Sequence, residues 1–163
     1  MENSSHHEAP IPPHRFLLEE IQALQTFEKQ VLERVNYYIW HNQTEAGTIP
    51  HRFLYAVELL FDGGEPLLLS SGDDSEAIRL LTAEALTETA RRLQQMHGKP
   101  VMQRAVAGIQ PLWREVVGKM LEHIRLTRDE EGLYLNDSIL LDFGEHRVLV
   151  YLSEREGLLA ATY

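Results

Sequence analysis

The sequence predicts an α+β fold in which two halves, each a helix followed by an antiparallel meander, are joined by a linking helix. A stretch with helical periodicity precedes two runs with strand periodicity and a glycine turn, and the same order recurs later in the chain. A stretch rich in Ala, Leu, Glu, Arg and Gln, which favours a helix, lies between the two. This repetition predicts an internal duplication with helices packed across antiparallel sheet.

The predicted boundaries divide the chain into a mobile polar leader and a single α+β domain. The leader covers residues 1–12, and the domain covers residues 13–163. Half one is expected over residues 16–81, the linking helix over residues 82–97, and half two over residues 101–163. A chain of 163 residues has the size of one ordinary domain, so no further division is expected.

Half one begins with a predicted helix over residues 16–35, where apolar residues recur at spacings of three, four and seven. The β-branched and aromatic run 35–40 predicts a first strand. Alternation over residues 53–61 predicts a second strand, with five side chains on one face: Phe53, Tyr55, Val57, Leu59 and Phe61. Residues 62–65 contain two glycines and predict a hairpin turn, after which residues 66–69 return as a third strand.

The linking helix is predicted over residues 82–96, with Gly98 ending it and Pro100 preventing its continuation. Four residues share one predicted face: Leu86, Ala90, Leu93 and Met96. Residues 73–76 before it (Asp-Asp-Ser-Glu) are expected to cap a helix. The alternative, a cation site, is disfavoured because they lack the alternating acids and central glycine of a calcium loop.

Half two repeats the order of half one. The predicted elements are a helix over residues 113–121, a strand over 122–127, a polar loop over 128–132, a strand over 133–143, a turn at Gly144 and Glu145, and a returning strand over 147–152. The pentapeptide Pro-His-Arg-Phe-Leu also occurs twice, at residues 13–17 and 50–54. Its spacing does not fit the alignment of the halves, so we interpret it as a coincidence.

Composition excludes several classes of function. The 15 basic and 25 acidic residues give a formal charge of −10, which repels nucleic acid and anionic membrane surfaces. The chain contains no cysteine, so disulfides, thiolate metal ligands and thiol nucleophiles are excluded. The first residues lack the basic and apolar regions of a signal peptide, and no later apolar run is long enough to span a membrane. We therefore expect a cytoplasmic protein that binds neither nucleic acid nor membrane.

No catalytic, cofactor-binding or metal-ligating residue is assigned, and no cofactor is expected. The eight histidines lack the spacing of a metal-binding pair, and residues 70–72 (Ser-Ser-Gly) lack the context of a nucleophile elbow. Five residues are candidates for a polar site or a partner surface: Tyr37, His41, His51, Glu58 and His123. His41, His51 and Glu58 are expected to converge if two strand ends meet across a short loop. Tyr37 and His41, if exposed, would anchor a protein partner.

Two functions follow from these observations. The first is a non-catalytic cytoplasmic protein-binding or accessory protein with an acidic, sheet-rich surface, with self-association as a homodimer through an edge strand as a variant. The alternative is a small enzyme or ligand-binding domain with a His- and Glu-lined cleft between the two halves. The first is preferred because the sequence shows no cluster of titratable groups of the kind that a catalytic site needs.

Overall fold

The computed structural model describes residues 14–42, 51–72, 75–98 and 101–163. The predicted leader, Asp73, Asp74 and Pro100 lie outside these residues, so the predictions made for them stay predictions. The elements in chain order are α1 (Leu18–Gln25), β1 (Leu32–Asn42), β2 (His51–Phe61), β3 (Pro66–Ser70), β4 (Arg79–Leu80), α2 (Ala83–His97), β5 (Met102–Val106), α3 (Pro111–Arg114), β6 (His123–Arg125), β7 (Ser138–Asp142), β8 (Arg147–Ser153) and β9 (Gly157–Thr162).

The strands of the described residues form one nine-stranded sheet that curls into a half-barrel. Its order is β4-β3-β2-β9-β8-β7-β6, and β1 pairs with β2 and with β5. Neighbouring strands are antiparallel except β2 and β9, which meet in parallel at Leu54 and Gly157. The Leu54 amide donates to the carbonyl oxygen of Glu156 at 2.8 Å. This short contact joins the part of the sheet around β2 to the part formed by β6 to β9.

A second contact closes the curl on the other side. Val31 and Met120 form an isolated antiparallel bridge. The Leu32 amide donates to the Lys119 carbonyl at 3.0 Å, and the Gly118 amide donates to the Leu32 carbonyl at 2.7 Å. The same segment continues into β6, which pairs with β7. Residues 118–125 therefore connect the start of β1 to the far end of the sheet.

The main core fills the inside of this curl. Buried apolar residues come from β1, β2, β3, β7, β8 and β9, among them Val35, Leu59, Leu141, Val150 and Leu158. Leu24 from α1 and Trp113 from α3 belong to the same cluster, so these two short helices pack into the curl. Burying a large apolar side chain stabilises the fold by about 1.5–3 kcal/mol, which makes this cluster the main source of stability.

A smaller apolar cluster lies on the outer face of the sheet. Leu86 of α2 packs there with Phe53, Tyr55 and Ala56 of β2 and with Leu68 of β3. Because α2 buries only a narrow face, the rest of its surface remains polar and exposed. The sheet is therefore covered on both faces in this region.

The predicted α+β class is wrong, because the chain is mostly β and its helix content is small. A helix does form where the linking helix was expected, and Gly98 ends it in the left-handed conformation. Its cap is Thr82, which accepts a hydrogen bond from the Ala85 amide, so the predicted capping is wrong for Ser75 and Glu76. It does not join two halves, because it packs on the outer face of the sheet. The strands β4, β5 and β9 have no counterpart in the predicted repeat, so the duplication with a linking helix is replaced by one continuous sheet.

The helix predicted over residues 16–35 is also wrong beyond its first turns. The structure has a helix only over Leu18–Gln25, and Lys29 then adopts a φ of 73°, which ends any helical path. The Lys29 amide instead donates to the Leu121 carbonyl at 2.6 Å, and β1 begins at Leu32. The apolar residues at helical spacing near Val35 belong to a strand that pairs on both sides, and this pairing overrides the local pattern.

A β-bulge changes the predicted face of β2. Tyr38 pairs with Ala56 and the next residue of β1 pairs with Leu54, so Tyr55 is the extra residue. Because a bulge shifts the alternation by one position, Phe53 and Tyr55 join the outer cluster, whereas Val57, Leu59 and Phe61 face the main core. The five side chains predicted on one face are therefore divided between two faces.

The second half differs mainly in its helix. A helix was predicted over residues 113–121, but α3 covers only Pro111–Arg114, and Gly118 adopts a φ of 88° before the chain pairs with β1. The predicted glycine turns are present, because β2 and β3 are joined by residues 62–65 and β7 and β8 by residues 143–146. Gly144 has a φ of 92°, as a first turn position occupied by glycine requires.

Candidate functional site

Tyr37 is not available as an anchor for a partner, because its side chain faces the main core and the residue is 8% exposed. Its hydroxyl oxygen accepts a hydrogen bond from Trp113 Nε1 at 2.6 Å. Burial raises the pKa of Tyr37, and the Trp113 hydrogen bond and the charge of Arg52 oppose that shift. The hydroxyl is therefore protonated at neutral pH and keeps one hydrogen to donate.

The proposed convergence of His41, His51 and Glu58 does not form. His41 follows Val35, Tyr37 and Ile39 by period two and shares their inner face, whereas Glu58 pairs with Asn36 and faces outward. His41 Nε2 lies 2.7 Å from Gln103 Oε1 of β5. The backbone of His51 pairs with that of Asn42 at the end of the ladder, and its side chain lies outside the described atoms.

His123 does not pair with the strands that carry the other candidates. It is exposed on β6, which pairs with β7, and its partner there is Asp142. Within residues 14–42, 51–72, 75–98 and 101–163, no group of three or more His, Asp or Glu side chains is arranged to hold a metal ion. The His- and Glu-lined cleft of the alternative hypothesis is therefore not assembled by these candidates.

Glu58 belongs to a polar cluster that crosses three strands. Its Oε1 accepts from Asn36 Nδ2 at 2.9 Å and from the Arg104 guanidinium at 3.2 Å. The hydrogen bond to Glu58 raises the pKa of Arg104, and the Tyr38 hydroxyl lies within reach of both groups. Because Glu58 comes from β2 and Arg104 from β5, this cluster ties the edge strand to the sheet.

The free edge of β5 is the first candidate site. The His41 amide donates to the Val101 carbonyl and the Ala107 amide donates to the Val35 carbonyl, each at 2.9 Å. Hydrogen-bonded pairs alternate along an antiparallel ladder, so the backbone groups of residues 103 and 105 also point toward β1. Those of Met102, Arg104 and Val106 point away, and within the described part of the chain β5 pairs only with β1.

An apolar groove runs beside this edge. It has a volume of about 340 Å³ and is lined by residues of β1, β5 and the segment after β5, including Asn36, Val106, Ile109 and Val117. Val106 is 67% exposed and Ile109 is 74% exposed. We call β5 with these two side chains the β5 edge. Exposed apolar side chains next to unpaired strand backbone are typical of a surface that binds another chain.

A second candidate site is a cavity of about 310 Å³ near the contact between β2 and β9. Its apolar wall includes Ile39, Leu54 and Leu158. Its polar lining comes from Tyr37, from Gln110 and from two exposed charged residues, Arg52 and Glu156. We call it the mouth cavity. Concave sites with an apolar wall and a few polar groups commonly hold small molecules.

Apart from Tyr37, the sequence-based prediction missed the residues of both sites. No strand was predicted over β5, because neither of its faces is uniformly apolar. One face carries Met102, Arg104 and Val106, and the residues between them also include both polar and apolar side chains. A signal did exist for β9, where Gly157 precedes an apolar run of strand length. Arg52 carries no local signal, because its importance arises only from the contact between β2 and β9.

Comparison with protein-family models, characterised proteins and solved structures finds no match for this chain. The function must therefore be argued from the two surfaces. No helix of the described residues is long and apolar enough to cross a membrane.

Proposed function

We propose that this chain is a non-catalytic protein-binding or accessory protein that captures an extended segment of a partner at the β5 edge. The partner segment adds a strand to β5, and its backbone pairs with Met102, Arg104 and Val106. The single observation that supports this proposal is an unpaired strand edge, within the described part of the chain, bordered by exposed Val106 and Ile109. Strand addition of this kind takes its affinity from main-chain hydrogen bonds and its specificity from neighbouring pockets.

Charge favours a basic partner. The formal charge of −10 attracts a positively charged protein over long range and repels a second copy of this chain. The binding should therefore weaken as salt is raised, because exposed charges are screened. A cytoplasmic location remains part of this proposal and fits the absence of cysteine.

Pairing between two copies of β5 is opposed by Arg104. An antiparallel pair that uses all three outward-facing residues must place Arg104 directly opposite its own copy, because Met102 then pairs with Val106. Like charges directly opposite each other destabilise a strand pair. We therefore propose a different protein as the partner, and sedimentation of the purified chain should give a monomer at tens of micromolar.

The test is a pull-down with the tagged full chain from lysate of its own source cells, at low and at moderately high salt, with mass spectrometry of the retained proteins. The decisive comparison is Val106→Lys against Leu18→Lys. Both residues are 67% exposed, so the two variants carry the same charge change at sites of equal exposure. Val106→Lys should lower retention of a salt-sensitive partner at least about tenfold, since burying a valine is worth about 1.5–3 kcal/mol.

Three results would contradict the proposal. An equal loss of partner retention in both variants would mean that an added positive charge weakens binding wherever it lies on the surface. Equal retention would mean that the partner binds elsewhere. A stable dimer in sedimentation that Val106→Lys dissociates would assign the β5 edge to self-association instead.

A further inference from the structure

The mouth cavity contains a buried hydrogen-bond donor without a described acceptor. The Tyr37 oxygen already accepts from Trp113 Nε1, so its own hydrogen must point elsewhere. Within the described residues, the Tyr37 hydroxyl donates no hydrogen bond, and both Tyr37 and Gln110 line the cavity. A buried hydroxyl hydrogen without an acceptor is costly, and a ligand oxygen in the cavity would accept it.

Two opposite charges lie at the cavity opening without pairing with each other. Arg52 and Glu156 come from the segments of β2 and β9 that meet at Leu54 and Gly157. Within the described residues, Arg52 forms no ion pair, although its charge reaches Tyr37. In the same part of the chain, the only side-chain hydrogen bond of Glu156 is a 3.5 Å bond from Ser153 Oγ. A cation and an anion that have no partner of opposite charge among the described residues favour a ligand that carries both charges.

The cavity is open to solvent, and its volume indicates the size of a ligand that it can enclose. A water molecule occupies about 30 Å³ in the liquid, so a cavity of about 310 Å³ accommodates roughly ten non-hydrogen atoms. The wall formed by Ile39, Leu54 and Leu158 requires part of that ligand to be apolar. Free amino acids with branched aliphatic side chains have this size and this division between a zwitterionic end and an apolar end.

We propose that the mouth cavity binds a free aliphatic amino acid of the size of leucine. Tyr37 and Arg52 hold the carboxylate, and Glu156 holds the ammonium group. The apolar side chain packs against Ile39, Leu54 and Leu158. This site is independent of the β5 edge, so the two proposals stand or fall separately.

The test uses three probes that share one apolar group: L-leucine, 4-methylpentanoate, which lacks the amine, and 3-methylbutylamine, which lacks the carboxylate. Each is titrated into the isotope-labelled full chain, and amide chemical shifts are followed by NMR. L-leucine should give saturable shifts at residues around Leu54 and Leu158. Each truncated probe should bind at least about tenfold more weakly, because a hydrogen bond to a charged group is lost.

Matched variants assign the contacts. Arg52→Gln and Glu156→Gln should each weaken L-leucine binding at least about tenfold, since each removes one charged contact. Arg155→Gln and Glu154→Gln make the same charge changes at exposed neighbours that do not line the cavity, and they should leave binding unchanged. All four positions are exposed, so the fold should be retained. Val106→Lys should not change this binding either.

The proposal is overturned if L-leucine gives no saturable shifts at tens of millimolar. It is also overturned if 4-methylpentanoate binds as tightly as L-leucine, because Glu156 would then contribute nothing. If Arg155→Gln weakens L-leucine binding as much as Arg52→Gln does, the binding depends only on general charge attraction, and the proposed site is wrong.

Discussion

Gly157→Ala should destabilise this protein more than an ordinary glycine substitution. Gly157 begins β9 and pairs with Leu54, where the two parts of the sheet meet in parallel. It has a φ of 75°, and a β-carbon at this position would lie 2.2 Å from the Leu54 carbonyl oxygen. The contacting atom belongs to the backbone, so no side chain can rotate away to relieve the clash.

The magnitude has two parts. The left-handed conformation costs an alanine about 1–2 kcal/mol relative to glycine. Displacing a packed backbone adds roughly 1–3 kcal/mol, as overpacking in a core does. The total of about 2–5 kcal/mol is a large share of the roughly 5–15 kcal/mol that stabilises a typical domain.

Urea unfolding followed by tryptophan fluorescence measures this loss, and Gly132→Ala is the matched control. Gly132 has a φ of 83°, and a β-carbon added there would meet no atom within 4 Å, so its substitution should cost only the conformational part. Hydrogen exchange at the Leu54 amide, which donates to Glu156, should also accelerate in Gly157→Ala alone. If the two variants lose equal stability, a β-carbon at position 157 does not meet the Leu54 carbonyl, and β2 and β9 do not approach each other this closely.

Three further outcomes are expected. Tyr37→Phe should lower the free energy of unfolding by about 1–3 kcal/mol in a urea titration, because it leaves the fully buried Trp113 Nε1 without an acceptor. The control is Tyr55→Phe, which removes a hydroxyl with no described hydrogen bond and should lower the free energy of unfolding by less. Burial raises the pKa of Asp142, but the Gly144 amide and the Arg125 and Arg147 guanidinium groups outweigh it and lower the pKa below its usual value. The ionised Asp142 carboxylate should therefore stabilise the fold above about pH 4, and this stabilisation should be lost as pH falls through the lowered pKa. In Asp142→Asn the free energy of unfolding should depend less on pH in the acid range, whereas exposed Asp137→Asn should leave that dependence unchanged. Thr82→Ala should cost about 1 kcal/mol in thermal unfolding, because it removes the cap of α2, and a cost near zero would show that this cap is not formed.

Local signals predicted the elements that depend on local chemistry. The helix α2 has a capping residue, an apolar stripe and a terminal glycine, and these are enough to define it wherever the helix packs. The two glycine turns after β2 and β7 are similarly independent of the rest of the chain. No local signal indicated that α2 packs on the outer face of the sheet.

Elements decided by long-range pairing were not predictable in the same way. The start of β1 has helical spacing, and only its neighbours β2, β5 and the segment around Met120 make it extended. The bulge at Tyr55 has no local marker, although it decides which side chains enter the core. The run over residues 35–40 correctly indicated a strand, but the sequence did not show that Tyr37 faces the core. The candidate sites depend on these same long-range features.

The closure of the curl also determines how the chain must fold. The Ile124 amide donates to the Glu28 carboxylate, and these residues are 96 positions apart in sequence. The β1–β2 and β7–β8 hairpins can form early from neighbouring residues, but the curl closes only after a large loop has been ordered. Folding dominated by such contacts takes milliseconds to seconds, and unpaired strand edges remain exposed during that time. The yield of refolding should therefore decrease as protein concentration rises, because two half-formed sheets can pair with each other before either one closes.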